Sequence, residues 1–408
     1  MTGSDKTSRV DVAIIGGGMV GMTAAIGLAR HGLAVAVIDR AVPAATTAPA
    51  FDGRASAIAF ASVEMLRALD IWPRLADDAQ AIREIRVSDG ESRLFLHFDF
   101  SEIGDKPLGH MVENRHLRIA LEQRRRDCPS LALHAPRHVT DLVRTATGAM
   151  LTLDDGHRIA AALVVGADGR GSLVRRMAGI RTPRWRYDQV GIVATVAHEC
   201  DHLGIAHERF LPAGPFAILP LTGCRSSLVW TARAETERAI MALPATAFEA
   251  EVRKRMGDFL GVVEVVGPRW SYPLGLHLAE RFIDSRLALI GDAAHGIHPI
   301  AGQGLNLGLR DVAAFVEVIV EAVRRGEDIG SPFVLERYER WRRTDTLVLA
   351  AVTDGLNRLF SNDIAPLRLA RDLGLAAVNR MPPLKRFFMQ HARGTIGTLP
   401  RLLRGQAL

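Results

Sequence analysis

Apolar residues fall along this chain in runs of different length and period, and each kind predicts a different element. Val10 to Ile15 is a short apolar run, followed by Gly16-Gly17-Gly18-Met19-Val20-Gly21 and an Ala-rich stretch of helical character that stops at Gly32. The order predicts strand, tight turn and helix. Leu33 to Ile38, Ala161 to Val165 and Leu287 to Ile290 are further short runs that predict buried strands, and Gly302-Gln303-Gly304-Leu305-Asn306 opens a long helix. Between Val190 and Pro273 the pattern changes to alternating runs, QVGIVATVAHE, FAILPLTG and RSSLVWTARA, which predict a mostly antiparallel sheet. AVPAATTAPAFDG, from Ala41 to Gly53, reads as a loop, and no repeat or low-complexity linker interrupts the chain.

The first segment has a physical reading of its own. In G-x-G-x-x-G, Gly16 makes the turn, Gly18 lacks the Cβ that would hold the backbone away from a pyrophosphate, and Gly21 lets helix and strand pack closely. The helix then presents free N–H groups and the positive end of its dipole to the phosphates. Asp39 ends the second strand about 20 residues past the glycines, where a ribose hydroxyl acceptor belongs. FAD and NAD both remain open from this segment alone.

Composition narrows the class. At 408 residues the chain exceeds the size at which a single core stops growing, so two intimately joined domains are expected. Cys128, Cys200 and Cys224 are an odd number with no C-x-x-C, which argues for a reducing compartment and against a disulfide or zinc framework. His295 and His298 have a spacing compatible with ligation, but no Cys or acidic cluster accompanies them, so no metal is expected. MTGSDKTSR leads directly into the first strand and no apolar run reaches the length of a membrane span; the expectation is a cytoplasmic chain without a signal peptide. The net charge of +6 comes with no nucleic-acid motif, so nucleic acid is set aside as a partner. After Asp372 no acidic residue follows, while Lys385, Arg386, Arg393, Arg401 and Arg404 lie among Leu384, Phe387, Phe388, Met389, Leu399, Leu402 and Leu403. Such a tail suits the inner face of a membrane, as a peripheral surface, docking on a partner, or packing on its own domain with a solvated basic face.

Taken together, three segments carry a resemblance: VDVAIIGGGMVGMTAAIGLARHG, VVGADGRGSLVRR and LALIGDAAHGIHPIAGQGLNLGLRD. In this order they resemble the single-component flavoprotein aromatic hydroxylases, most closely the branch that hydroxylates ring precursors of ubiquinone. TDGLNRLF, from Thr353 to Phe360, is similar to a segment of that branch. The resemblance implies a single FAD site. Asp168 and Gly169, with Ser172 and Arg175, match D-G-x-x-S-x-x-R, which in the family touches the flavin pyrophosphate region and bears on pyridine-nucleotide binding. Asp292 is implied at the ribitol, Pro299 against the isoalloxazine with His298 as its neighbour, and the N–H groups of Gly304, Leu305 and Asn306, after Gly302, at the N1–C2=O edge. Arg54 and Asn114 take positions of further flavin contacts. Phe216, Leu219, Pro220, Tyr272 and Pro273 are implied to line the aromatic substrate pocket.

The implied fold is α/β: a glutathione-reductase-like FAD-binding Rossmann fold with an inserted, mostly antiparallel substrate sheet and a helical C-terminal portion. The expected division is 1–80, 110–180 and 281–330 for FAD, 81–109 and 181–280 for the substrate sheet, and 331–408 for the helical region. The implied reaction has NAD(P)H or another donor reduce the flavin, O2 add at C4a, and the hydroperoxide pass OH to an electron-rich ring. The substrate implied is a polyprenylated phenol, with other ubiquinone-biosynthesis proteins and the membrane surface as partners. Two alternatives stay open: a hydroxylase of a soluble aromatic acid, and a non-catalytic flavin-bound organiser of a biosynthetic complex. A flavin halogenase is disfavoured because Trp-x-Trp-x-Ile-Pro is missing.

Overall fold

Val12, Ala13 and Ile14 have no exposed surface because their strand, Thr7–Ile15, lies inside a sheet covered on both faces. The computed structural model describes residues 7–48, 53–90, 92, 95–297, 302–360, 371, 374 and 377–408. Among these, the strands form three sheets. In the first, Thr7–Ile15 pairs in parallel with Val35–Ile38 on one side and Arg158–Gly166 on the other, and Leu287–Leu289 continues in parallel beyond Arg158–Gly166. This adjacency is what unites the three glycine segments. Ile15 stands opposite Gly166, and Gly166 opposite Leu289, so the loops after three strands remote in sequence leave one sheet edge side by side.

Helices Met19–Ala29 and Gln303–Arg324 pack on this sheet; Gly27 meets Val316 so closely that a Cβ there would press on the valine. The second sheet runs from His295–Gly296 through Val263–Leu278, Arg184–His198, Arg225–Arg233, Gly214–Leu221 and Ile205–Leu211 to Glu84–Asp89 and Phe95–Asp99. It is antiparallel except between Ile205–Leu211 and Glu84–Asp89. One face carries a core of its own with helix Ala245–Met256, through Phe216, Trp230, Phe248 and Val252, which the alternating runs alone did not disclose. The other face is turned to the FAD-side loops. A small sheet, Ala55–Ala59 with Gly109–Glu113 and Ala79–Ile82, links the two. In the expected loop 41–53, residues Pro43–Thr46 form one helical turn and 49–52 lie outside the described residues.

Helix Pro332–Phe360 lies along this joint through the TDGLNRLF segment: Asp354 accepts from the Tyr187 hydroxyl at 2.7 Å and Asn357 donates to Gln189 at 3.1 Å. Phe360 stacks on Phe210 at 4.1 Å between ring centroids. Among the described residues, no helix is long and apolar enough to cross a membrane.

Candidate active site

The glycine turn is built as its spacing requires. Gly16 has φ +106°, and a Cβ there would run into the Ala167 carbonyl, so only glycine fits where the first and second segments touch. A Cβ on Gly21 would strike the Gly16 carbonyl. Gly18 differs: nothing lies within 4 Å of the place its Cβ would occupy. The same holds at Gly169 in the second segment and Gly304 in the third, and all three line one cavity. Three sites from three segments are thus open toward the same space, which is the shape a dinucleotide cofactor needs.

Asp39 stands beside this cradle rather than in its lining. Its two carboxylate oxygens accept from the Gly17 N–H at 2.5 Å and the Ala41 N–H at 2.7 Å, so it shapes the glycine turn and keeps lone pairs for a ribose. Asp168 accepts from the N–H groups of Leu173 and Val174, at 2.6 and 3.3 Å, which caps the short helix Leu173–Met177. Its Oδ1 is buried with no partner among the described residues. Arg175 is almost wholly buried and ties the second and third segments together, donating to the Ala293 carbonyl at 2.5 Å and the Arg170 carbonyl at 2.7 Å.

Asp292 faces the cavity, half-exposed, with Arg170 Nε 3.4 Å from its carboxylate. The backbone that presents it is held from behind. Asp311, fully buried, accepts from the Gly291 N–H at 2.9 Å, from His295 Nε2 at 2.6 Å and from Arg342 Nε at 2.8 Å. Burial raises the Asp311 carboxyl, but the charges and hydrogen bonds of His295 and Arg342 outweigh it and hold the group below its ordinary value. His295 is therefore a buried partner of a carboxylate. His277 Nε2 donates to the Asp292 carbonyl, 2.9 Å away, and burial lowers the pKa of His277.

Gly302, at φ +63°, caps the helix Gln303–Arg324, and Asn306 locks that helix to the small sheet, accepting from the Ala59 N–H at 2.8 Å and donating to the Ala57 carbonyl at 2.8 Å. The Asn306 side chain is thus committed to the scaffold, while Gly304, Leu305 and Asn306 line the cavity at the helix N-terminus. Asn114 accepts from Ser56 at 2.6 Å, and Arg54 lies over the Tyr272 ring at 4.7 Å; both line the same cavity. His298 and Pro299 lie outside the described residues.

The cavity measures about 1130 Å³ and continues from these loops across the inner face of the second sheet. Strand alternation sorts the five expected pocket residues. Pro215, Ala217 and Leu219 line it, whereas Phe216 turns to the opposite face and packs edge-on to Trp230, with ring centroids 6.3 Å apart. Pro220 shares the parity of Phe216 and is not in the lining. On the strand Val263–Leu278 of the same sheet, Tyr272 and Leu274 face in, and Pro273 is exposed, offering only its carbonyl, 3.3 Å from Arg170. Of the five, Leu219 and Tyr272 line the pocket; Phe216, Pro220 and Pro273 do not, because a strand gives one face only every second residue.

Residues 9–350 match the FAD binding domain family. The chain belongs to the FAD-binding aromatic hydroxylases. It is 53% identical over 412 residues to the ubiquinone hydroxylase UbiL of Rhodospirillum rubrum, spanning 100% of this chain and 95% of the relative. It is 39% identical to the 3-demethoxyubiquinol 3-hydroxylase of Escherichia coli K12, spanning 94% of this chain and 98% of the relative. Its fold is that of p-nitrophenol 4-monooxygenase PnpA from Pseudomonas putida, with a TM-score of 0.81 at 18% identity over 96% of this chain and 99% of that one. This hydroxylase is accordingly an FAD-dependent monooxygenase.

The basic tail of the hydroxylase folds onto its own body. In helix Pro382–Arg393, Met389 is fully buried, Lys385 Nζ is 2.5 Å from Glu102, and Arg393 lies 4.1 Å over the Phe60 ring. Leu402 and Leu403 join the main core. The opposite side of the helix keeps Arg386, Phe387 and Phe388 exposed, and both phenylalanines belong to the cavity lining.

Asp311 and Arg342 were not singled out by the sequence patterns, although a signal exists. Asp311 falls on the apolar stripe of its helix, three and four residues from Gly308 and Leu307, where an unpaired acid would be costly.

Proposed function

We propose that this hydroxylase inserts oxygen into the aromatic ring of a polyprenylated phenol in ubiquinone biosynthesis. The observation that carries the reading is the continuity of the cavity. It begins at the FAD cradle and ends in a chamber lined by Leu96, Phe98, Phe210, Leu356 and Phe360, a place for an apolar chain beyond the ring. A soluble aromatic acid would ask for an uncommitted cation there. Arg371, the guanidinium at this end, instead engages Asp89 at 2.7 Å and the Leu359 carbonyl at 2.9 Å.

FAD, recharged by NAD(P)H or another donor, supplies the O2 activation and the transfer of one oxygen atom. The chain supplies position. The helix beginning at Met19 receives the pyrophosphate beside Gly18, Asp39 accepts a ribose hydroxyl, and Asp292 accepts from the ribitol. The helix N-terminus at Gly304 to Asn306 would stabilise negative charge at the pyrimidine edge of the flavin ring, with Arg54 and Asn114 beside it. The second sheet and the helices at its side exclude water from the ring to be oxidised. Val348, Val352, Phe387 and Phe388 are both exposed and part of the lining, so they rim an opening that suits a substrate arriving from a membrane surface or a partner protein.

Removal of the gene from its host, followed by mass spectrometry of quinone intermediates, tests the reading. A prenylated precursor lacking one ring hydroxyl should accumulate. Unchanged ubiquinone, with purified enzyme hydroxylating a soluble aromatic acid instead, would overturn it.

A further inference from the structure

One acid stands in the apolar wall of the cavity. Across the inner face of the second sheet, residues directly opposite one another form a row: Leu96, Val87, Glu208, Ala217, Val229 and Val193. All six line the cavity. Five are apolar, and the sixth carries a carboxyl group.

No hydrogen bond or ion pair from a described residue reaches that carboxyl, and burial alone pushes it up to about 7. The charged groups of the surrounding strands are engaged elsewhere. Glu84, Arg86 and His97 face the other side, where Glu84 takes hydrogen bonds from both partners, and Asp99 there accepts from Ser101. His207, which also borders the cavity, packs its ring against Phe259 and is pushed toward its neutral form by burial, and Arg209 donates to the Arg255 carbonyl. The facing strand Arg225–Arg233 turns Ser227 and Thr231 to this side; of its arginines of the same parity, Arg225 pairs with Glu113 and Arg233 with Glu235, and Arg371 at the chamber end is held by Asp89. An uncompensated carboxyl in an apolar wall lowers stability, so its presence needs a ligand to explain it.

Its position says which part of a ligand it meets. Along the strand Ile205–Leu211, Ala206 packs toward Ala55 and Ala57, next to Arg54 on the FAD side, and Phe210 packs toward Phe98 and Phe360 in the apolar chamber. Glu208 lies between them, at the junction of the ring's place and the chain's place.

We propose that Glu208 accepts a hydrogen bond from the ring hydroxyl of the phenolic substrate, setting the ring against the flavin and raising its electron density for oxygen transfer. This rests on the reading that the substrate is a phenol with an apolar chain. The ionised carboxylate is the acceptor, so kcat/KM rises with pH through about 7.

The test uses FAD-loaded full-length enzyme with a short-chain prenylated phenol and its O-methyl ether, binding being read from the flavin absorbance change without turnover. The parent should favour the free phenol about 10- to 100-fold. Glu208→Leu, which completes the apolar row, should keep its FAD and melt no lower than the parent but bind both probes alike. Glu208→Gln should keep some preference and lose the pH dependence of kcat/KM near 7. A parent that does not distinguish the probes, or a Glu208→Leu enzyme that still does, overturns the proposal. If the parent binds with this preference and Glu208→Leu abolishes it, yet no phenol is hydroxylated, the assignment of Glu208 stands and the reaction proposed above falls.

Discussion

Asp311 shows how much one side chain decides at the residue scale. Its carboxylate joins Gly291, His295 and Arg342, which holds the Asp292 loop at the cavity, and none of these partners is a neighbour in sequence. Asp311→Asn removes the charge and leaves the buried Arg342 guanidinium with Asp345 as its remaining partner, so stability should fall by about 3–5 kcal/mol, measured by urea denaturation of the FAD-free protein. The folded carboxyl titrates below its ordinary value, so its contribution is full above the unfolded pKa near 3.8 and is lost as pH falls through the folded one. The gap between parent and variant should therefore narrow below about pH 4. Neighbouring residues on one strand give a second residue-scale contrast. Phe216→Ala should cost about 3–5 kcal/mol of stability with little change in KM, since it empties the core around Trp230. Leu219→Ala should raise KM for the prenylated substrate with a smaller loss of stability. A KM effect from Phe216 equal to that from Leu219 would show that the faces are assigned wrongly.

At the scale of elements, the strand–turn–helix unit separates what glycine does for the chain from what it does for the ligand. Gly16→Ala strains a positive φ and meets the Ala167 carbonyl, so the variant should lose thermal stability even without FAD. Gly18→Ala meets no protein atom, and the FAD-free protein should melt as the parent does while binding FAD at least 10-fold more weakly. Isothermal titration of FAD into the two variants checks the contrast; normal affinity in Gly18→Ala would move the pyrophosphate away from this helix. Asp292→Ala belongs to the same comparison. It removes a cavity-facing acceptor and should weaken FAD by roughly 10- to 150-fold.

The whole molecule changes the reading of the tail. Lys385 and Arg393 are buried, one against Glu102 and the other over Phe60, so reversing their charge would unseat the helix rather than report on a membrane. The exposed set is Arg386, Phe387 and Phe388, joined at the opening by Val348 and Val352. Phe387→Ser with Phe388→Ser should reduce pelleting with vesicles of anionic lipid while FAD content stays normal. Arg386→Glu alone should have a smaller effect, about 1 kcal/mol or less. Equal pelleting of parent and double variant would exclude this rim as the membrane contact.

The glycine turn, the parallel strands around it and the place of Asp39 at the end of the second strand were legible in the chain because each depends on local spacing: a turn needs glycine at set positions, and a buried parallel strand needs an unbroken apolar run; Asp168 and Asp292 were singled out through the family resemblance. The family was legible for the same reason, since three such segments occur in a fixed order. What depends on opposition across a sheet was not. The parity that turns Phe216 and Pro273 away from the pocket, the row in which Glu208 is the only acid, the closure of Asp311 on His295 and Arg342, and the burial of Lys385 all join residues far apart in sequence. The chain by itself determines which elements form and which cofactor chemistry they suit. Only the tertiary structure decides which face of each element meets the ligand, because that choice is made by register and packing between strands and helices that the sequence does not place side by side.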